Sequence, residues 1–177
     1  MKQGVLELFK VNDTVLYGSH GVCLIADISP KEFCGKTNEY YTLRPVYENK
    51  SVIFVPADNA ALKAKMRCIL STSEIYSIIR SMPDEENIWI ENDTERKEKY
   101  SEILKNGNRR ALMQMIKTIY IHRESLKAKG KKLRSSDERL FNDAEKMLYE
   151  EFAHVLNISR DEVLPFILEQ IKVDEKN

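Results

Sequence analysis

The spacing of the apolar residues changes once along this chain, and that change limits the folds available to it. In the first third apolar residues alternate, and Val22, Leu24, Ala26 and Ile28 are predicted to share one face of a strand. From Ser71 onward they recur every three or four positions, which is the period of amphipathic helices. The chain is therefore predicted to be an α+β protein in which a small β unit precedes a helical one.

The first third contains four predicted strands, at residues 13–17, 22–28, 39–47 and 51–56, joined by turns at 18–21, 33–36 and 48–50. No helical segment separates any two of these strands, so a parallel βαβ unit is excluded. The close spacing of short strands favours a small barrel of the SH3-like or Tudor-like kind. Pro45 lies in the third strand, where it indicates an edge strand or a bulge.

Signals for helix starts are frequent in the remainder of the chain. Three pairs have the spacing of a capping box, namely Ser71 with Glu74, Ser135 with Glu138 and Ser159 with Glu162, and Asn92 and Asn108 are the other predicted N-caps. Gly107 is predicted to end the second helix and Pro165 to kink the last. The sequence thus predicts an all-α domain of four to five helices at residues 70–173, after a β domain at residues 1–66.

Most enzyme classes require motifs that this sequence lacks. It contains no Walker A or GxGxxG phosphate loop, no GxSxG elbow and no HExxH pair, and its three histidines lie far apart. We expect no catalytic site, no cofactor and no metal, and we do not expect an enzyme. The three cysteines form no CxxC pair, and no apolar run has the character of a signal peptide or a membrane span. A cytoplasmic protein without membrane contact is therefore expected.

Trp89 is the only tryptophan, and it lies among polar and acidic neighbours between two predicted helices. One interpretation is that it packs between helices as part of the core. The other is that it is an amphipathic wedge, since an indole combines a large apolar body with one polar N–H group. Such a side chain can insert at a base step of DNA or anchor a protein interface.

A basic stretch lies at residues 115–134, which carry seven basic side chains and one acidic side chain in a chain of zero net charge. Lys131 and Lys132 belong to its C-terminal end, and Arg96 and Lys99 could extend it if the helices pack together. The stretch is either a solvated helix end that complements the helix dipole or a surface that binds phosphates. Nothing in it resembles a base-reading code, so any DNA binding is expected to be largely independent of sequence.

In the β unit, Lys31, Phe33 and Phe54 are candidate contacts for a protein partner, which could also add a strand to an exposed sheet edge. The alternative is that the two phenylalanine side chains fill the interior of the barrel.

Several segments together resemble the CarD family of transcriptional regulators. Residues 9–22 (FKVNDTVLYGSHGV) are similar to the opening of the family, and residues 55–60 (VPADNA) to the segment that closes its β module. In the helical half the family pattern is matched by Trp89, Arg96, Leu104 and Gly107, and residues 133–148 resemble its Ser/Asp-start helix. The resemblance covers nearly the whole chain.

The resemblance implies a Tudor-like RNA-polymerase-interacting domain, like that of transcription-repair coupling factors, which binds the polymerase β subunit. The residues expected to contact polymerase are Lys31, Phe33, Arg44 and Phe54. The helical domain is expected to contact promoter DNA through its minor groove and phosphates, with Trp89 as a wedge at the upstream edge of the bubble that stabilises the open complex. The expected DNA contacts are Trp89, Arg96, Lys99, Lys131, Lys132 and Arg139. A monomer is expected, associated with the nucleoid through polymerase.

The chain departs from the family pattern at several places, among them Asn12, which replaces the usual Gly, and the longer spacing between Trp89 and Arg96. Phe54 stands where some members carry a polymerase-contacting Arg, and Glu138 stands where a basic DNA contact occurs, with Arg139 beside it. The alternative function is a protein–protein adaptor of the transcription machinery without direct DNA contact, in which the basic stretch is only a solvated helix end.

Overall fold

The structure is a computed structural model that describes residues 9–47 and 51–174. The chain divides into two compact units, one ending at Ile69 and the other beginning at Leu70. The α+β order predicted from the sequence is confirmed, because the first unit is built on a sheet and the second on helices. The predicted turn at residues 48–50 lies outside the described part of the chain.

The N-terminal unit is a barrel-like antiparallel sheet of five strands in the order β4-β3-β2-β1-β5. The strands are β1 (Thr14–Tyr17), β2 (Val22–Phe33), β3 (Lys36–Pro45), β4 (Ile53–Pro56) and β5 (Met66–Cys68), and a short helix, α1 (Ala60–Lys63), precedes β5. The sequence did not predict β5, because a segment of three residues is too short to show an alternating pattern. Instead β5 is defined by its pairing with β1, in which Met66 lies opposite Tyr17.

The core face of β2 differs from the predicted one. Cys23 and Ile25 are fully buried and Val22 nearly so, whereas Leu24, which was predicted to share a face with Val22, is 37% exposed. A bulge between Ile25 and Asp27 then shifts the register and turns Asp27 toward the outer face. Pro45 is the last residue of β3, an interior strand, so the irregularity that it suggested lies on the neighbouring strand.

A tight turn joins β2 to β3. Cys34 and Gly35 both have positive φ angles, 54° and 74°. A two-residue loop with two such angles is the turn that matches the twist of antiparallel strands. The turn allows β2 and β3 to pair as far as Phe33 and Lys36.

The C-terminal unit contains five helices, as predicted: α2 (Thr72–Ser81), α3 (Asp93–Asn106), α4 (Arg109–Ala128), α5 (Ser135–Leu156) and α6 (Arg160–Asp174). Their apolar faces form one core. The side chains at its centre are almost completely buried and include Ile75, Ile79, Tyr100, Met115, Ile119, Phe141, Leu148 and Phe152.

Most predicted helix ends are confirmed. Asn92 and Asn108 accept hydrogen bonds from the first turns of α3 and α4, and Gly107 ends α3 with a φ of 58°. Ser135 is not an N-cap, because the Glu138 N–H group donates to the carbonyl of Arg134, which places Arg134 at the cap position. The capping-box spacing alone could not distinguish the cap from the first helical residue.

Pro165 lies inside α6, where a proline has no N–H group to donate to the carbonyl four residues earlier.

Over the described residues, none of the helices combines the length and the apolar character that crossing a membrane would require.

The capping box of α2 provides a test of the helical unit. The Ser71 hydroxyl accepts from the Glu74 N–H group, and the Glu74 carboxylate accepts from the Ser71 N–H group at 2.7 Å. Replacing Ser71 by Ala removes the side-chain acceptor of the Glu74 N–H group and should lower the free energy of unfolding by about 1 kcal/mol. Urea unfolding of the full chain measures this change.

The matched control is Ser77→Ala, at an exposed position in the middle of the same helix. This substitution should leave stability unchanged or raise it slightly, because alanine is the better helix former. Equal losses for both variants would contradict a capping role for Ser71.

Candidate functional site

An aromatic cluster lies on the outer face of the β unit. Phe33 and Phe54 are 43% and 42% exposed, and their ring centroids lie 5.6 Å apart. Tyr40 packs edge-on against Phe33 at 5.0 Å. The ammonium of Lys31 lies 5.5 Å from the centroid of the Phe54 ring. The possibility that the two phenylalanine side chains fill the barrel is therefore wrong.

The pairing of the strands explains how this cluster forms. Phe54 on β4 lies opposite Thr42 on β3, and Tyr40 is two residues before Thr42 on the same face of the strand. Arg44 continues that face in the other direction and lies opposite the exposed Leu24. We call the surface formed by Lys31, Phe33, Tyr40, Arg44 and Phe54 the docking face. It contains all four predicted polymerase contacts.

An ion pair lies at the border of the docking face. The Asp27 carboxylate accepts a hydrogen bond of 2.6 Å from the Ser29 hydroxyl, and the Lys31 ammonium lies 3.3 Å from the same oxygen. These hydrogen bonds, first from Ser29 and then from Lys31, hold the pKa of Asp27 below its usual value. The docking face thus combines exposed aromatic rings with an ionised pair at its border.

In the helical unit, Trp89 lies in the connection between α2 and α3 and is partly exposed. Its ring stacks on that of His122 of α4, with centroids 3.5 Å apart and planes inclined by 14°. The guanidinium carbon of Arg96 lies 4.3 Å from the centroid of the same indole. An imidazole at 3.5 Å fills one face of the ring, so the guanidinium must cover the other. Trp89 is therefore neither a core residue nor a free side chain, but a ring held between two planar groups.

Hydrogen bonds fix the backbone on both sides of Trp89. The backbone N–H group of Trp89 donates to the side-chain oxygen of Asn87 at 2.9 Å, and the backbone N–H group of Ile88 donates to the Thr118 hydroxyl at 3.1 Å. The Tyr100 hydroxyl donates to the Ile88 carbonyl at 3.3 Å. Burial raises the pKa of Tyr100 to about 12, so this donor keeps its proton at neutral pH.

Arg96 was predicted to contact DNA, but the structure places it in the interior, with 2% of its surface exposed. It makes a bidentate ion pair with Asp137, with Nε–Oδ1 and Nη2–Oδ2 distances of 3.0 and 2.9 Å. Its Nη1 atom donates to the Ile90 carbonyl at 2.6 Å. A guanidinium so enclosed is not positioned to bind a phosphate, which removes Arg96 from the set of candidate DNA contacts.

A cleft of about 300 Å³ brings the indole and the basic stretch together. Its lining includes Trp89 and His122 together with Lys131, Lys132 and Arg134. Lys131 and Lys132 are exposed, whereas Arg134 forms an ion pair with Asp93 at the start of α3. We call Trp89, Lys131 and Lys132 the wedge face.

A second cleft, of about 590 Å³, also includes Trp89 in its lining and is lined largely by apolar groups, including Ile88 and Ile103. Lys99 lines this cleft, and its ammonium lies 3.4 Å from the exposed carboxylate of Glu102. Arg139 is exposed on α5. Lys99 and Arg139 thus remain candidate phosphate contacts, although they lie outside the wedge-face cleft.

Not every cation of the basic stretch belongs to the wedge face. The Lys117 ammonium donates to three backbone carbonyls after the end of α2, those of Met82, Pro83 and Glu85, at 2.6 to 3.0 Å. Arg123 covers the Phe141 ring, with its guanidinium carbon 4.6 Å from the centroid. These two side chains therefore stabilise the helical unit.

Sequence reasoning missed His122. Its ring supports Trp89 across two different elements, and a single sequence carries no signal that pairs them. Within the part of the chain described, no group of three His, Cys, Asp or Glu side chains is arranged to hold a metal. The wedge face offers a planar apolar group beside exposed cations, which is an arrangement for recognition.

The stack between His122 and Trp89 should make stability depend on pH. Burial is the main cause that holds the pKa of His122 below its ordinary value of 6.5. The unfolded chain therefore takes up the proton first as the pH falls, so stability should decline below about pH 6.5 until the folded imidazole is also protonated. Urea unfolding at a series of pH values measures this slope. His122→Gln should flatten it in that window, and an unchanged slope would contradict the assignment.

Comparison with known protein families agrees with the architecture of the N-terminal unit. Residues 9–70 match the model of the family described as CarD-like/TRCF RID domain. The matched residues span all five strands and α1, and end where the second unit begins. The domain of this family is an RNA-polymerase-interacting domain, and the match supports an N-terminal unit that interacts with the transcription machinery. The N-terminal unit of this chain is thus similar, over residues 9–70, to the family of CarD-like/TRCF RNA-polymerase-interacting domains.

Proposed function

We propose that this chain is a transcription regulator that binds the RNA polymerase β subunit through the docking face and stabilises the promoter open complex through the wedge face. The observation that carries the DNA half of the proposal is the shared cleft, in which a clamped indole lies beside Lys131 and Lys132. The polymerase half rests on the family of the N-terminal unit and on the exposed rings of the docking face.

The docking face has the composition of a protein interface. Aromatic side chains and cations at the centre of a patch contribute most to binding, because a partner that covers them removes much of their apolar surface from water. Phe33 and Phe54 supply the rings, and Lys31 and Arg44 supply the positive charge. Within the described sheet, β4 pairs with β3 alone. Its other edge is therefore available to a strand of a partner protein.

The wedge proposal follows from how Trp89 is held. Inserting a rigid apolar group at a base step costs a few kcal/mol of unstacking, which further contacts to the bent DNA offset. Because His122 and Arg96 already cover the two faces of the indole, its orientation is fixed before binding and little conformational entropy remains to be lost. The part of Trp89 that enters the DNA is then the part of the side chain that remains exposed, which excludes the buried Nε1 atom.

Lys131 and Lys132 add the electrostatic part of the proposed binding. Lysines that approach phosphates release condensed counterions, which favours binding without reading the sequence. The proposed DNA contact is therefore largely independent of sequence and includes the minor groove. In this proposal the protein is a cytoplasmic monomer that works by binding, without catalysis, and reaches the nucleoid through polymerase.

The alternative is an adaptor that binds the transcription machinery without touching DNA. One observation favours it: several cations near the wedge face are already engaged. Arg96 pairs with Asp137, Arg134 pairs with Asp93, and Lys117 caps backbone carbonyls. Fewer positive charges are thus free for phosphates than the sequence indicates.

Replacing Phe54 by Ser in the full chain tests the polymerase half. The substitution removes an exposed ring from the centre of the docking face, and polymerase binding should weaken by about thirtyfold, the equivalent of a loss of about 2 kcal/mol. Titration of purified polymerase with the labelled chain measures the affinity. The matched control is Leu168→Ser, which removes an apolar side chain of similar exposure, 41%, from α6. Equal affinities for both variants and the wild type would contradict the docking face.

Two variants test the DNA half. Trp89→Ala should shorten the lifetime of the promoter open complex several-fold, because a wedge worth a few kcal/mol is lost. Lys131→Ala combined with Lys132→Ala should reduce the salt dependence of DNA binding by about 1.8 in log–log slope, about 0.9 for each lost phosphate contact. Open-complex decay after competitor addition and DNA titrations at several salt concentrations are the two measurements.

The control for the lysine variant is the charge-matched pair Lys105→Ala and Lys172→Ala, both at exposed positions outside the wedge face. If Trp89→Ala leaves the open-complex lifetime unchanged and the lysine variant binds DNA like its control, the DNA half is wrong. Retained polymerase binding in that case would select the adaptor.

A further inference from the structure

Arg96 links the Trp89 ring, the backbone that follows it and two carboxylates in one network. Its guanidinium covers the indole, its Nη1 atom binds the backbone just after Trp89, and its remaining donors reach Asp137 and Asp93. We propose that the buried Arg96–Asp137 pair is a positioning device, which fixes the indole of Trp89 relative to Lys131 and Lys132. This inference rests on the proposed function of Trp89 but assigns a distinct role to residues that do not touch DNA.

The geometry requires the shape of arginine in addition to its charge. The fork of Nε and Nη2 engages both oxygens of Asp137, and Nη1 binds the carbonyls of Ile90 and Glu91 at 2.6 and 3.3 Å. A guanidinium is planar, so these bonds also set the plane that lies against the indole. A lysine ammonium is a single point donor and cannot bridge the carboxylate and the loop carbonyls while covering a ring.

The same network reaches Arg134, one of the basic residues that line the cleft. One oxygen of Asp93 accepts from Arg96 at 2.6 Å, and the other pairs with Arg134, which precedes α5. Asp137 lies in the first turn of α5. The pair therefore ties the segment that carries Trp89 to the segment that carries Lys131 and Lys132. If both segments contact one DNA duplex, this tie fixes their spacing.

A second buried pair separates positioning from simple stabilisation. Arg109 engages both oxygens of Glu151 at 3.1 and 3.0 Å, and the Glu151 side chain is 1% exposed. This pair has the same chemistry as the pair of Arg96 with Asp137, but Arg109 makes no contact with the wedge-face cleft. Arg109→Lys is therefore the matched control for Arg96→Lys.

Trp89 is the only tryptophan in the chain, so intrinsic fluorescence of the full-length protein reports on this indole alone. In Arg96→Lys we expect emission at longer wavelength and stronger quenching by acrylamide, because one face of the ring loses its cover. Arg109→Lys should lower the melting temperature and leave both fluorescence readouts at wild-type values. The promoter open complex should have a shorter lifetime with Arg96→Lys than with the wild type, approaching the lifetime with Trp89→Ala. With the double variant Trp89→Ala/Arg96→Lys the lifetime should be no shorter than with Trp89→Ala alone.

Wild-type quenching in a folded Arg96→Lys variant would overturn the proposal, as would the same fluorescence change in Arg109→Lys. If the fluorescence responds as expected but Trp89→Ala does not alter the open complex, the positioning role stands and the proposed wedge function fails. Circular dichroism establishes folding. If Arg96→Lys does not fold, Asp137→Asn provides the same test, and unfolding of both variants would assign the pair a folding role alone and overturn the proposal.

Discussion

The guanidinium of Arg96 is the interaction on which the candidate DNA surface depends. Removing a charge from water is costly, and such a group is tolerated in an interior only when a counter-charge and hydrogen-bond acceptors surround it. Here Asp137, Asp93 and two backbone carbonyls fill those positions. Because the carbonyls belong to the segment that carries Trp89, satisfying the buried charge also fixes the indole. The position of an exposed ring thus follows from electrostatics inside the helical unit.

The two units present surfaces of different chemistry, and each follows from its own architecture. In the sheet, side chains alternate between faces, so β4 buries Val55 and exposes Phe54, and the bulge in β2 places Phe33 on the face opposite Ile25. In the helical unit, the functional groups lie in the connections between helices, whose ends the capping residues and Gly107 define. The helices bury the core and hold these connections in place.

The basic side chains of the helical unit fall into two groups, one that stabilises the fold and one that remains exposed, although the net charge of the chain is zero. Arg96, Arg109 and Lys117 bind buried carboxylates or helix-end carbonyls, where a positive charge is worth more than on the surface. Lys131 and Lys132 remain exposed beside Trp89. Only the second group is suited to a partner with negative charge. Counting charges along the chain cannot separate the two groups, since both occur within the same sequence segments.

The sequence by itself determined the order of the two units, most strand and helix positions, and most helix ends, because each depends on periodicity or capping within a few residues. It also identified Trp89, Lys131 and Lys132 as unusual. Only the tertiary structure decided that Arg96 is buried, that His122 supports Trp89, and that the core face of β2 runs through Cys23 and Ile25. These features depend on contacts between distant segments and on a bulge in the strand pairing. The local pattern of a single sequence carries no information about either.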